Sequence, residues 1–309
     1  MPEETVYVAG HTGLVGSAIC RRLARDGVEP LVARSLELDL TSQAAVEAFF
    51  TDHSIDRVYL AAARVGGIYA NDVYPAEFLR DNLAIQTNVI HSAWKSGASK
   101  LVFLGSSCIY PKLAPQPLIE GSLLTGPLEP TNEWYAIAKI TGIKMCQAYR
   151  KQYGFDAISL MPTNLYGPGD NFDLETSHVL PALIRKFHEA KVSGARSVVL
   201  WGSGTPYREF LHVDDLADAC VFLMENYSGP DIVNVGVGQD ITIRDLAELV
   251  RDIVGFEGEI ELDSSKPDGT PRKLLDTSKL AALGWRPSIS LADGIASTYA
   301  WYMENLLPG

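Results

Sequence analysis

A parallel, doubly wound α/β sheet of Rossmann type is the fold that this chain predicts, followed by a smaller, loop-rich C-terminal substrate domain. Three observations carry the prediction. An apolar run from Thr5 to Ala9 ends in Gly10, Gly13 and Gly16 and passes straight into a helix-forming stretch. Strand-like apolar runs then alternate with helix-length segments as far as Met161, and such alternation builds a parallel sheet covered on both faces. Gly10, Ala61 and Ser106 all fall at the C-terminal ends of predicted strands, where ligands bind in this architecture.

The first strand, glycine turn and helix form the context of a phosphate-cradling loop. The loop reads Gly10, His11, Thr12, Gly13, Leu14, Val15, Gly16. Gly10 permits the tight turn, Gly13 a close approach to a pyrophosphate, and Gly16 close packing of helix on strand. A second strand, Glu29 to Ala33, is followed by Arg34. An acid there would bind the ribose hydroxyls of NAD, whereas arginine accommodates the 2′-phosphate of NADP; a solvated loop arginine is an equal reading of Arg34. Asp39 and Leu40, expected near an adenine, precede a helix from about Ser42 to Asp52. The third strand, Arg57 to Ala63, ends in Ala61, Ala62 and Ala63, small enough for a cofactor to pass closely. A long helix from Pro75 to Ser96 leads to the fourth strand, Lys100 to Gly105, which carries Leu104 and Gly105 to Ser106, Ser107 and Cys108.

The segment from Asn132 to Lys139 is then the centre of the chain. Pro130, Thr131 and Asn132 supply a breaker and capping residues, so a helix is expected to run from Asn132 to Lys151. Tyr135 and Lys139 are four apart and share one helical face. A nearby ammonium stabilises phenolate, which would bring the tyrosine down from its free pKa of about 10 toward use as a general acid. The fifth strand, Ala157 to Met161, runs into Pro162, Thr163, Asn164 and Leu165, where a domain edge is expected. Residues 1–165 are thus read as the nucleotide-binding domain and 166–309 as the substrate domain, with the strands near 197–201 and 232–235 as candidates to rejoin the first.

Composition narrows the partners. The 309 residues carry 38 acidic and 26 basic side chains, a net charge of −12, which argues against nucleic acid and anionic membranes. No signal peptide or membrane-spanning run is read, and Cys20, Cys108, Cys146 and Cys220 form no zinc spacing. A soluble, cytoplasmic protein with reduced thiols is expected. His212, Asp214 and Asp215 lack a third ligand at metal spacing and read as a strand end and an acidic helix start, so no metal is expected.

Taken together, the glycine loop, the Ser106 strand end and the Tyr135–Lys139 pair resemble the extended short-chain dehydrogenase/reductase family. Four further blocks resemble one branch of it: Gly105 to Lys112, Pro162 to Pro168, Trp201 to Pro206, and Lys266 to Leu275. That branch takes GDP-4-dehydro-6-deoxy-D-mannose, epimerises C3 and C5, and reduces C4 with NADPH to give GDP-L-fucose. The family often has arginine after the histidine of the glycine loop, and Thr12 stands there.

The resemblance implies roles. Tyr135, Ser106 and Lys139 would serve the C4 oxygen and the reduction, with Lys139 also at the nicotinamide ribose. Cys108 and His178 would move the protons, and His178 would also border the cofactor. From spacing alone Cys108 reads as a buried thiol and His178 as a helix-capping residue. Ser107, Asn164, Lys186, Trp201, Arg208, Asp268 and Arg272 are the expected GDP-sugar contacts, since a diphosphate needs fixed positive charge. The long helices from Pro75 and from Asn132 imply, by the same likeness, a homodimer. Three other readings compete: a nucleotide-sugar 4-epimerase, a 4,6-dehydratase and a non-catalytic NADP sensor. A dehydratase would carry an acid near Ser106, where Ser107 and Cys108 stand, and a sensor could lose Tyr135 or Lys139, both of which are kept.

Overall fold

The computed structural model describes residues 4–265 and 268–307; Lys266 and Pro267 of the expected substrate loop lie outside the described residues. Five parallel strands form the main sheet: β1 (Val6–Ala9), β2 (Arg57–Leu60), β3 (Lys100–Leu104), β4 (Asp156–Pro162) and a later strand, Val233–Val235. Three- to seven-residue strands suffice because both faces are covered, so nearly every strand position is buried. Alternate residues feed two cores. Tyr7, Ala9, Leu101 and Phe103 enter one, and Val6, Val8, Val102 and Leu104 the other.

Helix α1 (Leu14–Arg25) covers the second core through Ala18, Ile19 and Leu23. Helix α2 (Gln43–Asp52) covers the first and is capped by Ser42, whose side chain accepts from the Ala45 N–H. A short helix, α3 (Ile68–Val73), follows the Gly66–Gly67 pair and had no signal in the sequence reading. Helices α4 (Pro75–Lys95) and α5 (Glu133–Tyr153) lie side by side over the first core. Their close approach requires Gly142, where a Cβ would meet the Phe103 ring at 2.4 Å and Gln86 Oε1 at 2.7 Å.

The Glu29–Ala33 segment departs from expectation. It is no full strand but a single parallel bridge, Leu31 to Tyr7, with Leu31 donating to Val6 O and accepting from Val8 N. From β1 the chain goes outward to Leu31 and then crosses to β2 on the other side. The topological switch point therefore lies between β1 and β2, where such sheets bind ligands.

The later part of the chain contributes β5 (Asn164–Tyr166), α6 (Val179–Ser193), β6 (Ser197–Trp201), β7 (Tyr207–Arg208), β8 (Phe210–His212) and α7 (Val213–Asn226). The Val233–Val235 strand of the main sheet is β9, followed by β10 (Ile241–Thr242), α8 (Ile243–Val254), β11 (Glu259–Asp263) and β12 (Arg272–Lys273). The chain ends in α9 (Ser278–Ala282) and α10 (Leu291–Leu306). Helix α7 packs on α1 in the second core. Strand β9 lies in the main sheet beside β4, whereas β6 pairs with β11 in a separate sheet. A third core of α6, α8 and α10 residues holds that region together. Strand β7 is sandwiched between β10 and β12, so Arg208 and Lys273 are register partners.

Candidate active site

The cofactor end is built by glycines. Gly10 has φ +87°, and a Cβ there would sit 2.7 Å from backbone atoms of Ala62, so the β1 turn packs directly on the Ala61–Ala62 strand end. Gly16 presses on the same turn; its Cβ would be 2.1 Å from Gly10 O. Gly13 is different. It caps α1 at φ −81° with no side-chain cap, and its Cβ would meet only Gly10 O, at 3.5 Å. The fold itself makes no demand for glycine at 13. A ligand approaching the open N-terminus of α1 does, and anions favour that position. The residues thus fit a dinucleotide pyrophosphate.

Around that turn the predicted contacts are placed as follows. Arg34 is exposed and its side chain has no ion pair among the described residues. Asp39 is turned onto Thr41, accepting from its N–H and hydroxyl, which lowers its pKa. Leu40 O accepts from Asn88, and Asn82 bonds both N–H and C=O of Arg64, fixing the chain just past Ala63. Thr163 and Asn164 side chains both donate to Glu209 O.

The reacting end lies beyond β3. Ser106 starts a 3-10 turn, Ser107–Ile109, and its Oγ accepts from the Cys108 N–H at 3.3 Å. Cys108 is buried. Burial pushes its thiol up, while the Ser106 hydrogen bond and the Lys273 and Lys139 cations pull it down. Lys139 is 4% exposed and donates to Leu104 O at 2.7 Å, lying over the Phe103 and Tyr135 rings at 5.0 and 5.7 Å. Burial lowers its pKa to about 8, against the pull of Cys108. The expected lowering of Tyr135 by Lys139 is not found. The ammonium is held by a carbonyl of β3, and burial, with Cys108 adding, pushes the phenol up instead. His178 sits at the N-cap position of α6 without making a cap bond. It is open to solvent yet closely walled by protein, as a cleft-mouth residue is, and that enclosure lowers its pKa. Burial thus acts on both proton-transfer candidates, raising the thiol and lowering the imidazole.

The phosphate-binding chemistry is also rearranged. Arg272, expected at a diphosphate, faces the other way: it pairs with Asp240 through two bonds, of 2.5 and 2.9 Å, and lies over the Tyr207 ring. Successive strand residues point to opposite faces, so Lys273 faces inward. Burial lowers the Lys273 pKa; Cys108 opposes this, Arg208 adds to it, and Glu129 opposes it. Burial likewise lowers that of Arg208, against Glu129. Glu129 in turn bonds Lys112 and Thr270. Lys273 thus joins Arg208; it belongs to the loop from Asp268 to Lys273 expected at GDP, but only the β7–β12 register singles it out over Arg272. Glu209, wholly buried, accepts from the N–H groups of Val237, Gly238 and Leu275 and so fixes both cations through the backbone. Asp268 binds Ser203 N and Oγ, closing the Gly202 turn. Lys186 lies over the Trp201 ring at 5.2 Å. His212, Asp214 and Asp215 are engaged locally: His212 Nδ1 accepts from Asp214 N, Asp214 pairs with Arg21, and Asp215 accepts from Ser288 and Ile289.

With this geometry in hand, comparison with known proteins is informative. Residues 6–236 match the family described as NAD dependent epimerase/dehydratase family. A relative from Arabidopsis thaliana named GDP-L-fucose synthase 1 is 66% identical over 302 residues, 97% of this chain and 94% of that protein. Among solved structures, a GDP-6-OMe-4-keto-L-xylo-heptose reductase from C. jejuni superposes with TM-score 0.93 at 38% identity, covering 98% of this chain and 99% of that one. A GDP-L-fucose synthetase from Naegleria fowleri bound to NADP superposes with TM-score 0.91 at 28% identity, covering 99% and 96%.

Proposed function

This chain belongs to the NAD dependent epimerase/dehydratase family, and from that membership we infer that it converts GDP-4-dehydro-6-deoxy-D-mannose to GDP-L-fucose with NADPH. One observation carries the reading beyond a simple ketone reductase. Cys108 stands in the turn just beyond Leu104, whose carbonyl holds Lys139, and its N–H donates to Ser106 Oγ; reduction alone has no use for a thiol there.

The C4 ketone acidifies the hydrogens at C3 and C5. Cys108 and His178 remove and return those protons, and the negative charge that forms on the C4 oxygen is met by the Ser106 and Tyr135 hydroxyls. In the final step Tyr135 gives the oxygen its proton. NADPH supplies the hydride that reduces C4. Arg208 and Lys273 hold the diphosphate, and Arg offers it two parallel bonds. The test is NADPH oxidation with GDP-4-dehydro-6-deoxy-D-mannose and analysis of the product. Substrate interconversion without net NADPH loss would mark a 4-epimerase instead.

Cofactor choice rests on Arg34, exposed at the end of the Leu31 segment with no acid taking its place. NADPH is expected to bind more tightly than NADH, and Arg34→Ala to erode the difference. Equal affinity for both in a fluorescence titration of the unmutated protein would refute this role.

The assembly is a homodimer through α4 and α5. Supporting this, Trp94 and Tyr153 stack at 4.2 Å beside His91 and Tyr149, placing an aromatic cluster on these helices. Light scattering is expected to give twice the chain mass, and a monomer at working concentration would refute it. A cytoplasmic location agrees with four free cysteines. No described helix is long and apolar enough to cross a membrane.

A further inference from the structure

A carboxylate stands among the cations assigned to the diphosphate. Glu129 Oε2 pairs with Lys112 Nζ at 2.9 Å and accepts from Thr270 Oγ1 at 3.0 Å. The Glu129 side chain is 13% exposed and that of Lys112 40%, and Arg208 and Lys273 are half-buried, so all four face space a ligand can reach. Thr270 lies in the turn against Arg208: a Cβ on Gly269, the residue before it, would be 3.7 Å from Arg208 Nη2. Lys273, on the strand that leaves this turn, is the register partner of Arg208. Burial lowers the pKa of both cations, and Glu129 opposes it in both. Asp268, the acid of this loop, is engaged instead by Ser203 N and Oγ.

The fold gives little reason for a charge at 129. A partly exposed ion pair such as Lys112–Glu129 contributes little stability, and a glutamine would accept from Thr270 as well. At a site for a diphosphate the carboxylate is a cost, because like charges repel. That cost depends on the ligand. A sugar-linked diphosphate carries about two negative charges, and free GDP about three at neutral pH, since its terminal phosphate ionises a second time near pH 6.

We propose that Glu129 is a selectivity residue of the diphosphate site, balancing Arg208 and Lys273 before substrate arrives and repelling free GDP more strongly than a sugar-linked diphosphate. This rests on the GDP-sugar reading above. Arg208 and Lys273 without a carboxylate beside them would hold the most highly charged nucleotide most tightly. Glu129 offsets that bias, so free GDP does not occupy the site in place of substrate.

The test is calorimetric titration of the unmutated protein, Glu129→Gln and Glu129→Ala with GDP, GDP-mannose and NADPH. GDP should bind both variants about tenfold more tightly, and GDP-mannose only about threefold more tightly. NADPH affinity should stay as it is. Added salt should narrow the difference for GDP, because it screens charge repulsion. A purely structural Glu129 predicts another pattern: glutamine, which keeps the Thr270 bond, changes nothing, and alanine weakens both guanine nucleotides. Unchanged or weaker GDP binding by Glu129→Gln would overturn the selectivity role alone, and so would an equal gain for GDP and GDP-mannose. Glutamine decides the outcome should alanine loosen the turn. No binding of either guanine nucleotide by the unmutated protein would overturn the GDP-sugar reading, and the selectivity role with it.

Discussion

Replacing Cys108 by alanine is expected to slow exchange of the C3 and C5 hydrogens with deuterated water by roughly 10²–10⁴-fold, the usual contribution of a positioned acid or base. The thiol is buried beyond β3, where its N–H is held by Ser106. Its pKa is raised by burial and restrained by Lys273 and Lys139. Nothing else in that turn can take or give a proton to carbon. Tyr135→Phe should behave differently. Its phenol is pushed up by burial and so stays protonated, a donor to the C4 oxygen. Without it, Ser106 still meets part of the charge, so exchange persists at a measurable rate while hydride transfer collapses by a similar factor. Ser106→Ala should slow both steps, because the oxyanion forms in both. Deuterium incorporation by mass spectrometry without NADPH, beside NADPH consumption with it, reads the two steps separately. Exchange at the unmutated rate in Cys108→Ala would reduce that residue to a buried thiol.

The two steps also mark what a sequence can disclose. The glycine loop, the strand ends and the Tyr135–Lys139 spacing are local patterns, and local patterns determine which residues share a turn or a helical face. They do not determine which long-range partner wins. Lys139 reaches one turn along the helix toward Tyr135, but its ammonium bonds Leu104 O of β3, a contact 35 residues away in the chain. Arg272 and Lys273 are both cations in one basic loop. Only the pairing of β12 on β7 turns the first toward Asp240 and the second toward Arg208. Strand β6 read correctly as a strand, yet its partner β11 lies far along the chain and no periodicity names it. Helix α3, six residues after two glycines, is too short to carry a period.

The glycine loop permits the sharpest separation of fold from function. At Gly16 an added methyl group would lie 2.1 Å from Gly10 O, 2.5 Å from Gly10 C and 2.9 Å from His11 Cα, all of them backbone. No side chain can swing aside. The turn cannot retreat, since Gly10 already rests on Ala62. Helix α1 must instead lift from the sheet, drawing Ala18, Ile19 and Leu23 out of the core. Alanine restores about 1 kcal/mol of helix propensity, but forced overpacking costs about 1–3 kcal/mol and sometimes more. Against backbone on every side the upper end applies, so Gly16→Ala should lose about 2 kcal/mol of stability and bind NADPH poorly as well. Gly13→Ala should do only the second. Its backbone, at φ −81°, suits any residue, and its methyl group would meet one oxygen at ordinary contact distance. Melting should therefore be unchanged, while the methyl group occupies the space a pyrophosphate needs against the first turn of α1. A drop in NADPH affinity of at least about tenfold, or 1.4 kcal/mol, is expected from fluorescence titration. Undiminished affinity in Gly13→Ala would mean that the glycine turn between β1 and α1 is not where the cofactor phosphates lie.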